Sequence, residues 1–423
     1  MANPLINITR RQALQFACFL VLYEFLTYIA NDMIMPAMVS VVRDFHARES
    51  DIATSLTAYI LGGASLQLIL GPLSDRYGRR PVMLLGAFLF FIFTLAIANT
   101  FSINQFLIAR YFQGMGLCFI SVIGYATIQE IFAEMDAIRL TAFMANIAII
   151  APLLGPLAGA VFVHYFSWHY LFIMIAGFAL VTYWGLFKFM PETLGQTTHE
   201  GHHYAVMPFN IKTMLANYTA LLKNARFLLY TLAIGLVSAP GIIWIALAPV
   251  MLITKEGLTV VDYALWQIPL FGACILGNII LRHLTHHFEI KGLIKIGTIV
   301  SLTGILISFF MTLSMHGSTF SMIPGLVIYF AGWSLALAPL SRIVLFATDI
   351  TKGTASALCS MIAMIVQSLL IEVASIAYQG HNNIYYGFVN VVIILGLVLV
   401  TVIALKLEAL LPNPSPTGGR REL

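Results

Sequence analysis

Apolar runs of about twenty residues, each long enough to cross the hydrocarbon core of a bilayer as one helix, recur along almost the whole chain. They fall at 12–36, 52–72, 80–99, 104–131, 139–164, 169–189, 227–253, 262–282, 292–315, 319–341, 354–378 and 384–408, twelve in all. Short polar or glycine-proline stretches separate them and leave little chain for a soluble domain. With 60% of its 423 residues hydrophobic and 9% charged, the chain lies far from the roughly quarter-charged composition of soluble domains. The expected architecture is all-α: a polytopic membrane protein with twelve transmembrane helices. The first run is too long for the apolar core of a signal peptide and has no small-residue cleavage site behind it, so it is expected to stay as an anchor.

An even number of spans puts both termini on one side, and short cytoplasmic loops accumulate lysine and arginine. With the N-terminus inside, 22 lysines and arginines divide very unevenly. Only Arg43, Arg48 and Lys255 fall outside and Arg110 lies within a span; all the rest are cytoplasmic. Dropping one span or inverting the chain would destroy that asymmetry, so both termini are expected in the cytoplasm. The net charge of +4 then reflects topology, and no nucleic-acid partner is implied. Cys18, Cys118, Cys274 and Cys359 sit far apart inside apolar runs, indicating neither a disulfide framework nor a metal motif. The tracts HEGHH at 199–203 and RHLTHH at 282–287 lack HExxH spacing and convergent acids, so they read as solvated loops. No metal or other cofactor is expected. Nor is there a GxxxxGK[ST] pattern, which argues against an ATP-driven pump.

The longest polar interval, 191–226, divides the spans six and six. The expected organisation is an N-terminal six-helix bundle at 1–190, a cytoplasmic linker at 191–226, a C-terminal six-helix bundle at 227–410 and a tail at 411–423. Two such bundles are the arrangement of transporters that bind substrate between halves near the bilayer midplane. Phe209, Ile211, Met214, Leu215, Tyr218, Leu221 and Leu222 recur at roughly helical spacing in the linker, predicting a helix on the membrane surface.

A charge near the bilayer centre costs about 2.5 to 3.5 kcal/mol on insertion scales and usually faces a cavity or a partner. Four residues qualify: Glu24, Asp32, Arg110 and Glu372. Arg110 and Asp32 lie at similar depth from the outer side and are expected to pair. Glu24 lies about 12 Å deeper than Asp32, at 1.5 Å per residue, and about 80° round the helix. Both acids can therefore border one wide cavity. Burial disfavours a charged carboxyl and a nearby arginine favours it; Glu24, with no cation nearby in sequence, is the acid expected to hold a proton. Proton and cationic substrate would then compete, which is the logic of an antiporter. The alternative for each acid is a carboxyl satisfied by neighbouring hydroxyls or amides, and Glu372 fits a structural hydrogen bond as well as it fits transport.

Between the second and third runs stands GPLSDRYGRRP, Gly71 to Pro81. It closely resembles motif A of the major facilitator superfamily. LIARYFQGMG resembles motif B of its drug/proton antiporters, with Arg110, Gln113 and Gly114 in the corresponding places. APLLGPLAGA, with Gly155, Pro156 and Gly159, is similar to motif C of its exporters, and NDMIMPAM to motif D. VLYEF, TYIANDMI, MANIAIIAPLLGP, PETLG, QIPLFGA and TDITKGTASA resemble the MdfA-like multidrug/proton antiporters. The likeness covers nearly all of the chain; the linker and the tail after Leu411 depart from it.

The resemblance implies a monomeric, alternating-access exporter of the bacterial cytoplasmic (inner) membrane, expelling lipophilic and often cationic small molecules in exchange for protons. Glu24, Asp32 and Arg110 would couple the proton cycle. Tyr28, Asn31, Asp32, Met144, Asn146, Ala148 and Ile149 would line the pocket from one half, and Trp244, Gln267, Phe271 and Asn278 from the other. Gly71, Asp75, Arg76, Gly78, Arg79 and Arg80, with Glu130, would latch the cytoplasmic side. A dedicated exporter of a siderophore or another metabolite would use the same machinery. A proton-coupled importer and a non-transporting membrane scaffold are weaker readings.

Overall fold

The structure is a computed structural model and describes residues 4–199, 204, 211–348, 350–379 and 382–410. Hydrocarbon offers no partner for backbone N–H and C=O groups, so spanning segments must satisfy them internally, as helices do. The described chain is helical almost throughout. Its helices are α1 (Arg10–Asp32), α2 (Met38–Asp44), α3 (Ser50–Ser65), α4 (Gln67–Tyr77), α5 (Arg79–Ile97), α6 (Ile103–Gly114), α7 (Gly116–Phe119), α8 (Tyr125–Ile131), α9 (Glu134–Tyr165), α10 (Trp168–Phe189) and α11 (Ile211–Lys223), followed by α12 (Ala225–Pro249), α13 (Val260–Leu284), α14 (Ile290–Ser314), α15 (Ile323–Phe346), α16 (Lys352–Ala377) and α17 (Asn383–Leu410). Side-chain caps begin several of them. Thr9, Ser102, Asn224 and Thr259 each accept from a backbone amide in the first turn of α1, α6, α12 and α13.

Among the described residues, ten helical segments are long and apolar enough to cross a membrane, and eleven if α3 and α4, bent by 41°, form one span. The shorter apolar stretch Ile150–Tyr165 belongs to α9, a helix of 32 residues. The first segment runs beyond its expected end: a 3-10 turn at Met35–Ala37 leads directly into α2, extending it to Asp44. The fourth expected run is one path through α6, α7, a π turn at Ile120–Gly124 and α8. Large apolar side chains such as Phe88, Ile108, Phe178, Leu276, Phe310 and Leu395 remain exposed on the lateral surface, where hydrocarbon would meet them.

Helix α1 packs on α9 and α10, α3 on α6, and α5 on α6 and α10. After the linker, α12 packs on α15, α16 and α17, while α14 packs on α15 and α17. Two seams join these sets, α3 against α16 and α9 against α13. Small residues permit close approach between α14 and α15: a Cβ on Gly304 would stand 2.3 Å from the Tyr329 amide, and one on Gly325 2.2 Å from the Ser308 amide.

Proline leaves signatures in this packing. Pro72 has no N–H for the Leu68 carbonyl, and the hydroxyl of Tyr218 on α11 donates to that oxygen at 3.0 Å. The linker helix is thereby tied to α4. Near Pro240 in α12, the Tyr329 hydroxyl is inserted between Gly241 and Val237: it accepts from the Gly241 amide at 2.9 Å and donates to the Val237 carbonyl at 2.6 Å. The linker helix spans Ile211–Lys223, with Tyr218 and Leu221 buried and Ile211, Leu215 and Leu222 exposed. Phe209, residues 200–203 of HEGHH and the tail at 411–423 lie outside the described residues.

Candidate functional site

Glu24, Tyr28 and Asp32 recur at four-residue spacing and form one stripe along α1. Glu24 is 1% exposed. The Tyr125 hydroxyl donates to its Oε1 at 2.8 Å, and its Oε2 is buried with no hydrogen-bond partner among the described residues. Tyr125 opens α8 immediately after the π turn. A π turn inserts about one extra residue and so rotates the following helix by roughly 100°, which sets the direction of that side chain.

Asp32 is 5% exposed. The Asn31 amide donates to its Oδ1 at 3.2 Å, and Arg110 in turn donates to the Asn31 oxygen at 2.6 Å. Arg110 is fully buried. It also donates to the Gln113 oxygen at 2.6 Å and to the Ala30 carbonyl at 3.5 Å, and its guanidinium lies 4.4 Å from the centre of the Tyr59 ring. The Gln113 amide donates to Thr94 at 2.9 Å, and the Tyr59 hydroxyl donates to the Thr27 carbonyl. No ion pair within 4 Å joins Arg110 and Asp32 among the described residues, so Asn31 bridges the two groups that the sequence suggests as a pair. The reason is helical geometry. Neighbouring side chains diverge by about 100°: Asn31 points to Arg110, whereas the Asp32 Cβ faces α9, only 2.5 Å from where a Cβ on Gly155 would sit.

Gly159 lies equally close to α1, its missing Cβ falling 2.0 Å from the Met33 carbonyl oxygen. The motif C glycines therefore clamp α9 onto the end of α1 that carries Asp32, with Pro152 and Pro156 inside the same helix. Met144 on α9 is fully buried; the side chains of Asn146, Ala148 and Ile149 lie outside the described residues. Across the seam, the buried Trp244 donates to the Gln267 oxygen at 2.9 Å, and the Gln267 amide to the Tyr263 carbonyl at 3.3 Å. Phe271 packs edge-on against Phe330 with centroids 5.3 Å apart, and Asn278 is half-buried further along α13. Tyr263, buried on α13, comes within electrostatic reach of Asp32.

At the end of the bundle nearest the linker, Gly78 has φ +107°, which turns the chain sharply between α4 and α5. Arg79 pairs with Asp75 at 2.5 Å and Glu130 at 2.9 Å. The Arg79 and Arg80 amides donate to Glu192 at 2.9 and 3.1 Å, and Arg80 reaches the Phe187 carbonyl at 2.6 Å. These bonds join α4, α5, α8 and the chain after α10. Arg76 stands apart, exposed over the Tyr77 ring. Glu372 receives a hydrogen bond of 3.5 Å from Thr54, a contact across the seam between α3 and α16.

A cavity of about 530 Å³ opens at this linker end. Gln67, Ser121, Tyr125 and Gln129 line one wall, Thr354 and Ser360 of α16 the other; Asp75, Arg79 and Tyr218 stand around it and Gly71 lies in its wall. A second cleft, of about 510 Å³, lies at the opposite end between Arg48, Glu49, Leu247, Ser375 and Gln379. Among the described residues no three His, Cys, Asp or Glu side chains converge as a metal site.

The partners of the charged residues escape sequence reading. Tyr59, Tyr125 and Tyr263 carry no spacing that separates them from ordinary membrane tyrosines. For Glu192, the signal in the sequence is its place in the PETLG segment.

Residues 20–371 match the Major Facilitator Superfamily. The multidrug transporter MdfA of Edwardsiella ictaluri is 46% identical over 410 residues, covering 96% of this chain and 98% of that protein. The protein of the same name from Escherichia coli O6:H1 is 43% identical over 394 residues, covering 93% and 94%. Among solved structures, a bacterial homolog of the human lysosomal transporter Spinster, inward-facing and unoccupied, superposes with a TM-score of 0.72 at 11% identity, over 95% of this chain and 98% of that one. The xylose transporter XylE from E. coli, partially occluded and inward open, gives 0.67 at 17% identity over 95% and 98%. With its apolar helices, two seams and family match over most of its length, the chain belongs to the major facilitator superfamily.

Proposed function

We propose that the protein exports lipophilic, often cationic drugs from the bacterial cytoplasm in exchange for protons, working as a monomer by alternating access. The observation that carries this reading is Glu24: a buried carboxyl with one oxygen unpartnered among the described residues, on the same helix face as Asp32. An ionised carboxylate left unpaired in such surroundings costs several kcal/mol. Either a proton or a bound cation removes that cost, and the two compete. The MdfA multidrug transporters, at 43 to 46% identity, support the multidrug assignment.

The linker end is the cytoplasmic face, carrying Arg79, Arg80, Lys223, Arg226 and Lys352, as the charge asymmetry requires. The 530 Å³ cavity is then the cytoplasmic entrance. Residues 1–190 and 227–410 rock against each other along the two seams. Glu24, Asp32 and Arg110 couple the proton; Tyr28, Asn31, Met144, Asn146, Ala148, Ile149, Trp244, Gln267, Phe271 and Asn278 receive the substrate. The cluster around Arg79, Asp75 and Glu130 braces the cytoplasmic end of the N-terminal half.

The test is proton release when ethidium or tetraphenylphosphonium is added to purified protein in detergent. Wild type should release protons, and Glu24→Gln or Asp32→Asn should lose that release. Folded wild type that binds neither compound and releases nothing would overturn the multidrug reading in favour of a dedicated exporter.

A further inference from the structure

The proposed exchange leaves one step without a carrier. Glu24 must pass its proton to the cytoplasm, yet it is 1% exposed and no residue of α1 is among those lining the linker-end cavity. One side chain touches both places. Tyr125 donates to Glu24 Oε1 at 2.8 Å and also lines that cavity. Ser121, Tyr125 and Gln129 follow at four-residue spacing and all three line the cavity wall. From Tyr125, a polar stripe therefore leads past Gln129 toward the mouth. The π turn at Ile120–Gly124 sets this arrangement, because the extra residue turns α8 by about 100°.

We propose that Tyr125 is the proton relay between Glu24 and the cytoplasmic cavity. This rests on Glu24 being an exchanging acid. In the step, the Glu24 O–H bond breaks and its proton moves to the Tyr125 phenol oxygen, while the phenol's own proton passes to a cavity water. Glu24 is left as a carboxylate, the water becomes hydronium and tyrosine stays neutral throughout. The proton now on the phenol oxygen already points at the carboxylate, which is the hydrogen bond present in the structure; the hydroxyl turns back toward the cavity only when Glu24 is protonated again. Relay requires a group that accepts and donates in one motion, as a hydroxyl does and a phenyl ring cannot. The other titratable groups on this stripe of α1, Tyr28 and Asp32, are both absent from the cavity lining, so they offer no parallel route.

The experiment is stopped-flow mixing of tetraphenylphosphonium with purified protein and a pH indicator, with affinity and melting temperature measured on the same samples. Three variants are compared. Tyr125→Phe removes the hydroxyl; Tyr125→Gln restores a hydrogen-bond donor to Glu24 without a ready relay; Tyr125→His restores both. The proposal expects release to slow at least about tenfold in the Phe and Gln variants, a floor set below the roughly 10²–10⁴-fold typical of positioned proton-transfer groups, with affinity and amplitude kept. His should recover most of the rate. Release at the wild-type rate in Tyr125→Phe would overturn the proposal. So would recovery in Tyr125→Gln equal to that in Tyr125→His, since Tyr125 would then only satisfy Glu24. If Phe destabilises the fold, the Gln and His pair decides alone. Failure of the exchange reading looks different: wild type releases nothing, or Glu24→Gln releases as wild type does.

Discussion

Replacing Gly159 by alanine tests the geometry on which the site depends. The new Cβ would stand 2.0 Å from the Met33 carbonyl oxygen and 2.8 Å from that residue's C and Cα atoms. Relaxed contacts begin at about 3.5 Å, so α1 and α9 must part by roughly 1.5 Å. The obstacle is backbone, which cannot rotate aside as a side chain could. Overpacking of this kind costs about 1–3 kcal/mol. The displacement also reaches the charged relay, because Met33 follows Asn31 and Asp32 on the same turn. An added 1.5 Å would carry the 2.6 Å bond between Arg110 and Asn31 beyond hydrogen-bonding range. We expect Gly159→Ala to melt several degrees lower in detergent and to bind tetraphenylphosphonium about tenfold more weakly, equivalent to roughly 1.4 kcal/mol. Gly177→Ala is the control: nothing lies within 4 Å of its Cβ, so it should keep binding and leave stability unchanged or raise it by up to about 1 kcal/mol. A Gly159→Ala protein that melts and binds like Gly177→Ala would refute the close packing of α9 on α1.

Two further outcomes follow from the same geometry. Arg110→Lys keeps the charge but loses the planar fork that serves Asn31, Gln113 and Ala30 together; drug efflux from membrane vesicles should fall at least about tenfold, since hydrogen bonds to charged groups are worth about 1.5–3 kcal/mol, while the protein remains folded. In a background with the four cysteines replaced, a cysteine at Ser356 in the linker-end cavity should react with a membrane-impermeant maleimide in inverted vesicles and stay unlabelled in intact cells; the reverse pattern would invert the proposed orientation.

The energy source limits what such a machine can do. One proton exchanged for a neutral substrate carries one charge inward, worth about 2.3 kcal/mol per 100 mV, enough for a gradient of roughly fiftyfold. Exchange of one proton for a monovalent cation moves no net charge, leaving only about 1.36 kcal/mol per pH unit. Stoichiometry therefore decides how far cationic drugs are concentrated.

Much of the fold is written in the apolar runs, because lipid punishes unsatisfied backbone and leaves helix as the economical answer. The charged residues of the site are legible for the same reason: Glu24, Asp32 and Arg110 stand out against hydrocarbon-compatible neighbours. Their partners are not. Tyr125, Tyr59 and Tyr263 are at home in any membrane helix, and only tertiary packing selects which acid or cation each one meets. Asn31 reads as a pocket-lining residue in sequence; its place between Arg110 and Asp32 follows from the divergence of adjacent side chains and from α9 crowding Asp32. The π turn before Tyr125 has no composition of its own. Likewise the linker helix is visible in its periodicity, whereas the bond from Tyr218 to the carbonyl orphaned by Pro72 is a fact of packing.

The most direct test of proton-coupled export uses purified protein in liposomes, with the membrane potential clamped to zero and the interior made acidic. Tetraphenylphosphonium, a permanent cation, should accumulate inside as protons leave, stop when nigericin collapses the pH gradient, and fail to accumulate with Glu24→Gln. Accumulation that ignores the gradient, or that persists unchanged in Glu24→Gln, would contradict the account.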